Sequence, residues 1–186
     1  MDDKLIKEFN ILASKICNCV ERIEKKLDNL TAQFNKPRRS KNTISVFVAS
    51  QKVDSYSVAS LYTMYVPGKS DPIIQSMVFG NKKNKKTSLV AAELMAVSLA
   101  ADDAAFLSHQ AFPVIVYSNQ KKLTEALHWG KSLELDQEAR EKFSLTQEKL
   151  KALPAYTVEH SSLDHPDMSE AKTTLEERVG EQGKSC

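Results

Sequence analysis

Residues 43–79 read TISVFVASQKVDSYSVASLYTMYVPGKSDPIIQSMVF, and this stretch decides the class of fold. It contains three runs rich in β-branched and aromatic residues, which are residues 43–49, 56–66 and 73–79. Short polar turns separate the runs, and Pro67-Gly68 closes the second. Runs of this length and composition between turn residues predict strands. We therefore expect three antiparallel strands joined as a meander.

The hydrophobic period changes after the third run. Residues 88–108 are rich in Ala and Leu and contain no Gly or Pro, which predicts a helix with Thr87 or Ser88 as its N-cap. A capping box at Ser144 and Gln147 predicts that a later helix begins there. The remaining predicted elements are strands at 114–117 and 156–158, and helices at 120–131, 134–152 (one or two) and 168–179. The order β-β-β-α-β-α-α-β-α predicts a mixed sheet with helices on its faces.

Residues 3–35 have a different pattern from the rest of the chain. Apolar residues recur there at steps of three and four, and these are Phe9, Leu12, Ile16, Val20, Ile23, Leu27, Leu30 and Phe34. This is heptad spacing with one stutter, which predicts an amphipathic, coiled-coil helix. We expect a homo-oligomer formed through residues 5–34. The alternative is that this helix folds back on the chain's own domain.

Composition excludes several classes of protein. The chain has 186 residues, with 26 Lys+Arg against 24 Asp+Glu, so its net charge of +2 indicates no particular partner. Its apolar runs are too short to span a membrane, and we expect no membrane partner. Cys17, Cys19 and Cys186 are odd in number and have no paired spacing, so neither a disulfide framework nor a zinc site is expected. We expect an intracellular, cytoplasmic protein without a cofactor.

Three motifs, in order along the predicted elements, carry a resemblance to a known family. Residues 87–97, TSLVAAELMAV, resemble the first helix of the ribonuclease H family, in which a Thr-led turn precedes Glu-Leu-x-Ala. Residues 115–120, IVYSNQ, resemble its next strand, and residues 160–172, HSSLDHPDMSEAK, are similar to its last segment. The resemblance covers residues 43–180. It implies an α/β, ribonuclease H-like mixed five-stranded sheet with flanking helices, preceded by the N-terminal amphipathic helix.

This resemblance completes the predicted organisation of the chain. The segments are an N-terminal coiled-coil helix at 1–36, a basic linker at 37–42, a ribonuclease H-like domain at 43–180 and a disordered tail at 181–186. Active members of the family hold two magnesium ions with four carboxylates, because hard cations need oxygen ligands. The matching positions in this chain are Ala49, Glu93, Asn119 and Lys172.

Only Glu93 of these four keeps a carboxylate. An ammonium at the Lys172 position would repel a divalent ion by roughly 8 kcal/mol at about 4 Å and an effective dielectric of about 20. The resemblance therefore implies a degenerate site, with no catalytic residue and no bound metal, in a pseudoenzyme. The alternative is an active metal-dependent nuclease with a rearranged site. Asp54 could join such a site only in a different register of the first strand. Asp102 and Asp103 lie at the far end of the helix, and Asp102, about 13 Å beyond Glu93, is too far away to share its metal.

Lysines cluster just before the helix that carries Glu93, and more follow Asn119. A basic rim beside a helix N-terminus suits phosphate binding. The residues predicted to contact nucleic acid are Lys82, Lys83, Lys85, Lys86, Thr87, Ser88, Lys121, Lys122, Arg38 and Arg39. The predicted partner is RNA, DNA or an RNA-DNA hybrid. The alternative function is that of a structural or assembly protein, in which the inactive domain makes protein contacts.

Overall fold

The computed structural model describes residue 20 and residues 42–80, 88–107, 112–132 and 135–182. Within these ranges the order of strands and helices is the predicted one, β-β-β-α-β-α-α-β-α. The elements are β1 (Ile44–Lys52), β2 (Ser57–Tyr65), β3 (Ile73–Gly80), α1 (Leu89–Leu107), β4 (Val114–Ser118), α2 (Lys121–Trp129), α3 (Gln137–Lys151), β5 (Tyr156–His160) and α4 (Pro166–Gln182). The predicted coiled coil, Arg38 and Arg39, and the lysine turn at 82–86 lie outside the described residues.

The five strands form one mixed sheet in the order β3-β2-β1-β4-β5. β1 pairs antiparallel with β2, and β2 with β3, which confirms the predicted meander. β1 pairs in parallel with β4, with Val48 opposite Ser118, and β4 pairs in parallel with β5. Because β1, β4 and β5 run in the same direction, their carboxyl ends meet at one edge of the sheet.

The residues of β1 alternate between two cores, because successive side chains of a strand point to opposite faces. Val46 and Val48 pack in the larger core with buried residues of α1. Phe47 and Ala49 pack on the other face, in a cluster that contains Met168, Ala171 and Leu175 of α4. The central strand is therefore covered on both faces, by α1 on one side and α4 on the other.

The helix starts show which capping signals the chain uses. Ser88 Oγ accepts a hydrogen bond from Ala91 N at 2.9 Å, so Ser88 caps α1 as predicted. α3 is one helix, and Asp136 caps it by accepting from Ala139 N at 2.9 Å. The prediction that a helix opens at Ser144 is wrong. Ser144 lies inside α3, because the cap at Asp136 begins the helix two turns earlier.

The final helix is longer at both ends than the predicted 168–179. It begins at Pro166, where the missing N–H costs nothing because the first turn of a helix leaves its N–H groups unpaired. It continues past Gly180 to Gln182, two residues into the stretch predicted as a tail. No helix among the described residues is long and apolar enough to cross a membrane.

Candidate functional site

Glu93 lies near the start of α1, and none of its side chain is exposed. Ser50 Oγ of β1 donates to Glu93 Oε1 at 2.8 Å, and Ser118 Oγ of β4 donates to Glu93 Oε2 at 2.5 Å. The Ser118 hydroxyl also accepts from Gln120 N at 3.0 Å. One carboxyl group thus joins the helix to the carboxyl ends of two neighbouring strands.

The surroundings of Glu93 act on its ionisation in opposite directions. Burial raises the pKa of Glu93 to about 7, because the ionised carboxylate loses its hydration inside the protein. The hydroxyls of Ser118 and Ser50 oppose this rise by hydrogen bonding to the charged form, and the positive charge of Lys172 opposes it further. The carboxyl group therefore changes its protonation state close to neutral pH.

The two residues that contact Glu93 are serines, each next to a position matched by the resemblance. Ser50 follows Ala49, and Ser118 precedes Asn119. Ser50 shares the α1 face of β1 with Val48, whereas Ala49 points to the α4 side. Ser118 is the last buried residue of β4, and Asn119 follows it with Oδ1 buried and no hydrogen-bond partner among the described residues. The residues that sequence reasoning missed are therefore Ser50 and Ser118. Strand alternation was the signal that could have found them.

Lys172 projects from α4 toward the same end of β1, from the opposite face of the sheet. Its Nζ donates to Gln51 Oε1 at 3.1 Å and lies 3.6 Å from a carboxylate oxygen of Glu176. Its side chain keeps 26% of its surface exposed. Gln51 follows Ser50 on β1. The four positions matched by the resemblance therefore gather at the carboxyl ends of β1 and β4, with Glu93 approaching from the α1 face of the sheet and Lys172 from the α4 face.

Asp54, one of the carboxylates considered for a rearranged site, belongs to the turn between β1 and β2. Its Oδ1 accepts from Tyr56 N at 2.6 Å and from Ser57 N at 2.7 Å, and its Oδ2 accepts from Ser57 Oγ at 3.0 Å. These bonds, the one from Tyr56 N first, hold the pKa of Asp54 below its usual value. The carboxylate of Asp54 thus fixes the shape of its own turn.

Asp102 and Asp103 also have structural partners far from Glu93. Lys149 Nζ of α3 lies 2.5 Å from Asp102 Oδ2, which joins α3 to α1. Asp103 Oδ2 accepts from the hydroxyl of Tyr62 and from Gln75 Nε2, which lies 3.1 Å away. Both residues therefore tie the far end of α1 to its neighbours.

An open groove of about 800 Å³ lies at the start of α1, and Glu93 is not among its lining residues. The β1–β2 turn, the start of α1 and the residue before α2 form its walls. The lining residues that matter below are Lys52, Asp54, Tyr56, Ser57, Ser88 and Gln120. Ser88 N donates to Glu138 Oε2 at 3.1 Å, so a carboxylate from α3 already contacts the first turn of α1. The groove carries both signs of charge and several hydrogen-bonding groups.

The predicted nucleic-acid contacts are only partly within the described residues. Ser88 lines the groove, and Lys121 and Lys122 are exposed at the start of α2. Lys121 Nζ lies 3.7 Å from Glu125. The other predicted contacts lie outside the described residues, and these are Lys82, Lys83, Lys85, Lys86, Thr87, Arg38 and Arg39. Gln120, the residue directly before α2, lines the groove and was missed by sequence reasoning.

Among known proteins, the chain matches solved structures only by their fold. No protein-family model and no curated protein matches the chain. Among solved structures, LC11-RNase H1, isolated from compost by a metagenomic approach, has a TM-score of 0.61 at 14% identity, over 76% of this chain and 98% of that one. RNase H1 of the archaeon Halobacterium salinarum has a TM-score of 0.56 at 14% identity, over 72% of this chain and 93% of that one. The chain has the ribonuclease H-like fold. The fold that the sequence resemblance implied is confirmed.

The residues present on this ribonuclease H-like fold do not fit a pair of magnesium ions. Such a pair needs several carboxylate or carbonyl oxygens around it. Both oxygens of Glu93 accept hydrogen bonds from serine hydroxyls, and the nearby charged group is the positive Lys172 ammonium. Within the part of the chain that the structure describes, no group of three or more His, Cys, Asp or Glu residues could hold a metal ion.

The histidines of the last segment do not form a metal pair either. His160 is exposed on β5, where it pairs with Ser118 across the strands. His165 stacks on Phe47, with ring centroids 5.4 Å apart, and continues the aromatic packing with Tyr117 on the α4 side of the sheet. The two rings therefore lie in different surroundings, His160 on an exposed strand and His165 in an aromatic cluster.

Proposed function

We propose that this chain is a non-catalytic nucleic-acid-binding module built on the ribonuclease H-like fold. The observation that carries the proposal is the engagement of Glu93 by Ser50 and Ser118, with Lys172 at the neighbouring strand end. This set of groups can hold a proton and a positive charge, but it offers no cluster of ligands for hydrolytic metal ions. We therefore assign to the carboxyl ends of β1 and β4 a role in binding nucleic acid and not in its hydrolysis.

Similarity to a bound structure supports nucleic acid as the partner class. A structure of LC11-RNase H1 in complex with an RNA/DNA hybrid has a TM-score of 0.56 and 14% identity to this chain, of which it covers 74%. The ligand of this chain is RNA, DNA or a hybrid of the two. Lys121 and Lys122 are exposed at the start of α2, directly after Gln120 of the groove, and Lys82, Lys83, Lys85 and Lys86 stand in the sequence between β3 and Ser88. Lysines that neutralise phosphates release counterions, so this binding weakens as salt is added.

Self-association through residues 5–34 completes the proposal. Two copies joined by their N-terminal helices would place two binding edges on one molecule, and linked sites raise the apparent affinity for a long strand.

Binding is tested by electrophoretic mobility shift with single-stranded, duplex and hybrid nucleic acid over a range of salt concentrations. We expect a shift that weakens with salt, and we expect the variant with Lys82, Lys83, Lys85 and Lys86 all changed to Glu to lose most of it. The matched control reverses the same amount of charge at Lys69, Lys131, Lys142 and Lys151, and should bind nearly as the parent does. Failure of the parent to bind any of the three ligands would favour the structural or assembly function.

Catalysis is tested separately, with a labelled hybrid and Mg²⁺ or Mn²⁺. We expect the hybrid to remain intact. Cleavage that disappears in Glu93→Gln would show that the chain is an active nuclease and would overturn the non-catalytic part of the proposal.

A further inference from the structure

We propose that the groove beside α1 binds an unpaired nucleobase by stacking it on the ring of Tyr56, so that single strands are preferred to duplexes. This inference rests on the proposed nucleic-acid function and names the ligand of that site more closely. Tyr56 lines the groove, and 49% of its surface is exposed. Aromatic rings are general platforms for bases, because every base has a flat π face.

The turn that carries Tyr56 is held in shape before any ligand arrives. Asp54 accepts from the backbone N–H groups of Tyr56 and Ser57 at 2.6 and 2.7 Å, and Val53 N donates to Ser57 O at 3.0 Å. A fixed backbone leaves only the two side-chain torsions of the tyrosine to be ordered on binding. Preorganisation of this kind lowers the entropic cost of forming the contact.

The groove has the size and the hydrogen-bonding groups that a nucleotide needs. Its volume of about 800 Å³ lies within the range typical of small-molecule sites. Gln120 precedes α2, and its side chain makes no capping hydrogen bond to that helix, so its amide can face a ligand. Ser88 uses its Oγ lone pair to cap α1, which leaves its hydroxyl proton to donate.

The charges around the groove explain why stacking, and not phosphate attraction, would dominate there. Lys52 is the one cation among its described lining residues, and the Asp54 carboxylate stands in the same lining. Glu138 adds a second carboxylate at Ser88 N. One positive and two negative side chains leave the groove without net positive charge, so counterion release contributes nothing within it. In a duplex the faces of the bases are stacked on one another, so they are not accessible to the ring of Tyr56.

The experiment measures binding of a short oligothymidylate and of long poly(dA)·poly(dT) to the full chain by fluorescence anisotropy. We expect Tyr56→Ala to weaken oligothymidylate binding about tenfold, which is within the range measured for loss of one stacked base. Tyr56→Phe keeps the ring and should bind as the parent does. Phe106→Ala, which removes an exposed aromatic ring at the far end of α1 and outside the groove, is the matched control. Duplex binding should be the same for all four proteins.

A second pair of variants tests the positioning of the ring. Asp54→Ala removes the acceptor that holds the turn and should weaken oligothymidylate binding, whereas Asp54→Asn keeps an Oδ1 acceptor and should restore it. Equal losses from Tyr56→Ala and Tyr56→Phe, or an equal loss for duplex, would overturn the inference. If the parent binds nucleic acid and Tyr56→Ala changes nothing, only this inference fails. If the parent binds an RNA/DNA hybrid but not oligothymidylate, only this inference fails; if it binds neither of the two ligands nor the hybrid, the proposed function itself fails.

Discussion

Replacing Glu93 by Gln should make the protein more stable at pH 8.5 and should remove a pH dependence that the parent shows. Burial raises the pKa of the Glu93 carboxyl from 4.5 to about 7. Between these two values the native state binds a proton that the unfolded state has released. The free energy of unfolding therefore falls as the pH rises through this window, and it levels off above the folded-state pKa.

The size of the effect follows from the same two pKa values. The difference between 4.5 and about 7, at about 1.36 kcal/mol per pH unit, amounts to about 3 kcal/mol of lost stability above pH 7. Solvent does not screen this cost, because none of the Glu93 side chain is exposed. A glutamine of the same shape stays neutral at every pH and can still hydrogen-bond with the hydroxyls of Ser50 and Ser118. Most of the loss should therefore be recovered.

The assay is urea unfolding of the parent and of Glu93→Gln at pH 4.5, 6, 7 and 8.5, read as the difference between the two proteins so that other titrating groups cancel. We expect the glutamine variant to gain about 1–3 kcal/mol relative to the parent between the lowest and the highest pH. Glu148→Gln, on the exposed side of α3, is the control and should give a flat difference. A parent that becomes more stable than Glu93→Gln as the pH rises would refute the reasoning, because Glu93 would then be a stabilising anion paired with Lys172.

Three further predictions follow from other contacts. Ser118→Ala removes a hydrogen bond to the ionised form of Glu93, so the pKa of Glu93, followed by NMR of its side-chain carboxyl carbon, should rise further; an unchanged value would contradict the contact. Asp136→Ala should lower the free energy of unfolding in urea by about 1 kcal/mol through loss of the α3 cap, whereas Ser144→Ala should change it by less than about half of that. Deletion of residues 1–36 should reduce the mass measured by light scattering to that of a monomer, and an unchanged oligomer would show that this helix is not the interface.

The order and type of the elements could be predicted from sequence because the signals are local. The β-branched runs of residues 43–79, the Ala- and Leu-rich stretch after Ser88, and the breakers at Pro67 and Gly68 each act within a few residues. The error at Ser144 has the same origin. A capping box is a local signal that occurs inside helices as well. Here the side chain of Asp136, which accepts from Ala139 N, decides where α3 begins.

The candidate site could be placed in the right region but not in the right register. The resemblance located Glu93 and the ends of β1 and β4, and it matched Asn119 to the family's carboxylate position after β4. The structure puts Ser118 there, because β4 has Val114, Val116 and Ser118 on its buried side and ends before Asn119. Motif matching aligns letters along the chain, whereas the face of a strand is set by its pairing with β1, which a single sequence does not contain.

The contacts of Glu93 also give a reason for a carboxyl group at this position without catalysis. Ser118 is fully buried and Ser50 nearly so, and both hydroxyls point at Glu93. Removing the acceptor would leave two buried hydroxyls to find other partners, at a cost of about 1–3 kcal/mol for each group left unsatisfied. Leucine or alanine would therefore be worse than glutamine, and the buried polar trio behaves as one unit. A single carboxyl among hydroxyls is thus accounted for by hydrogen bonding within the core.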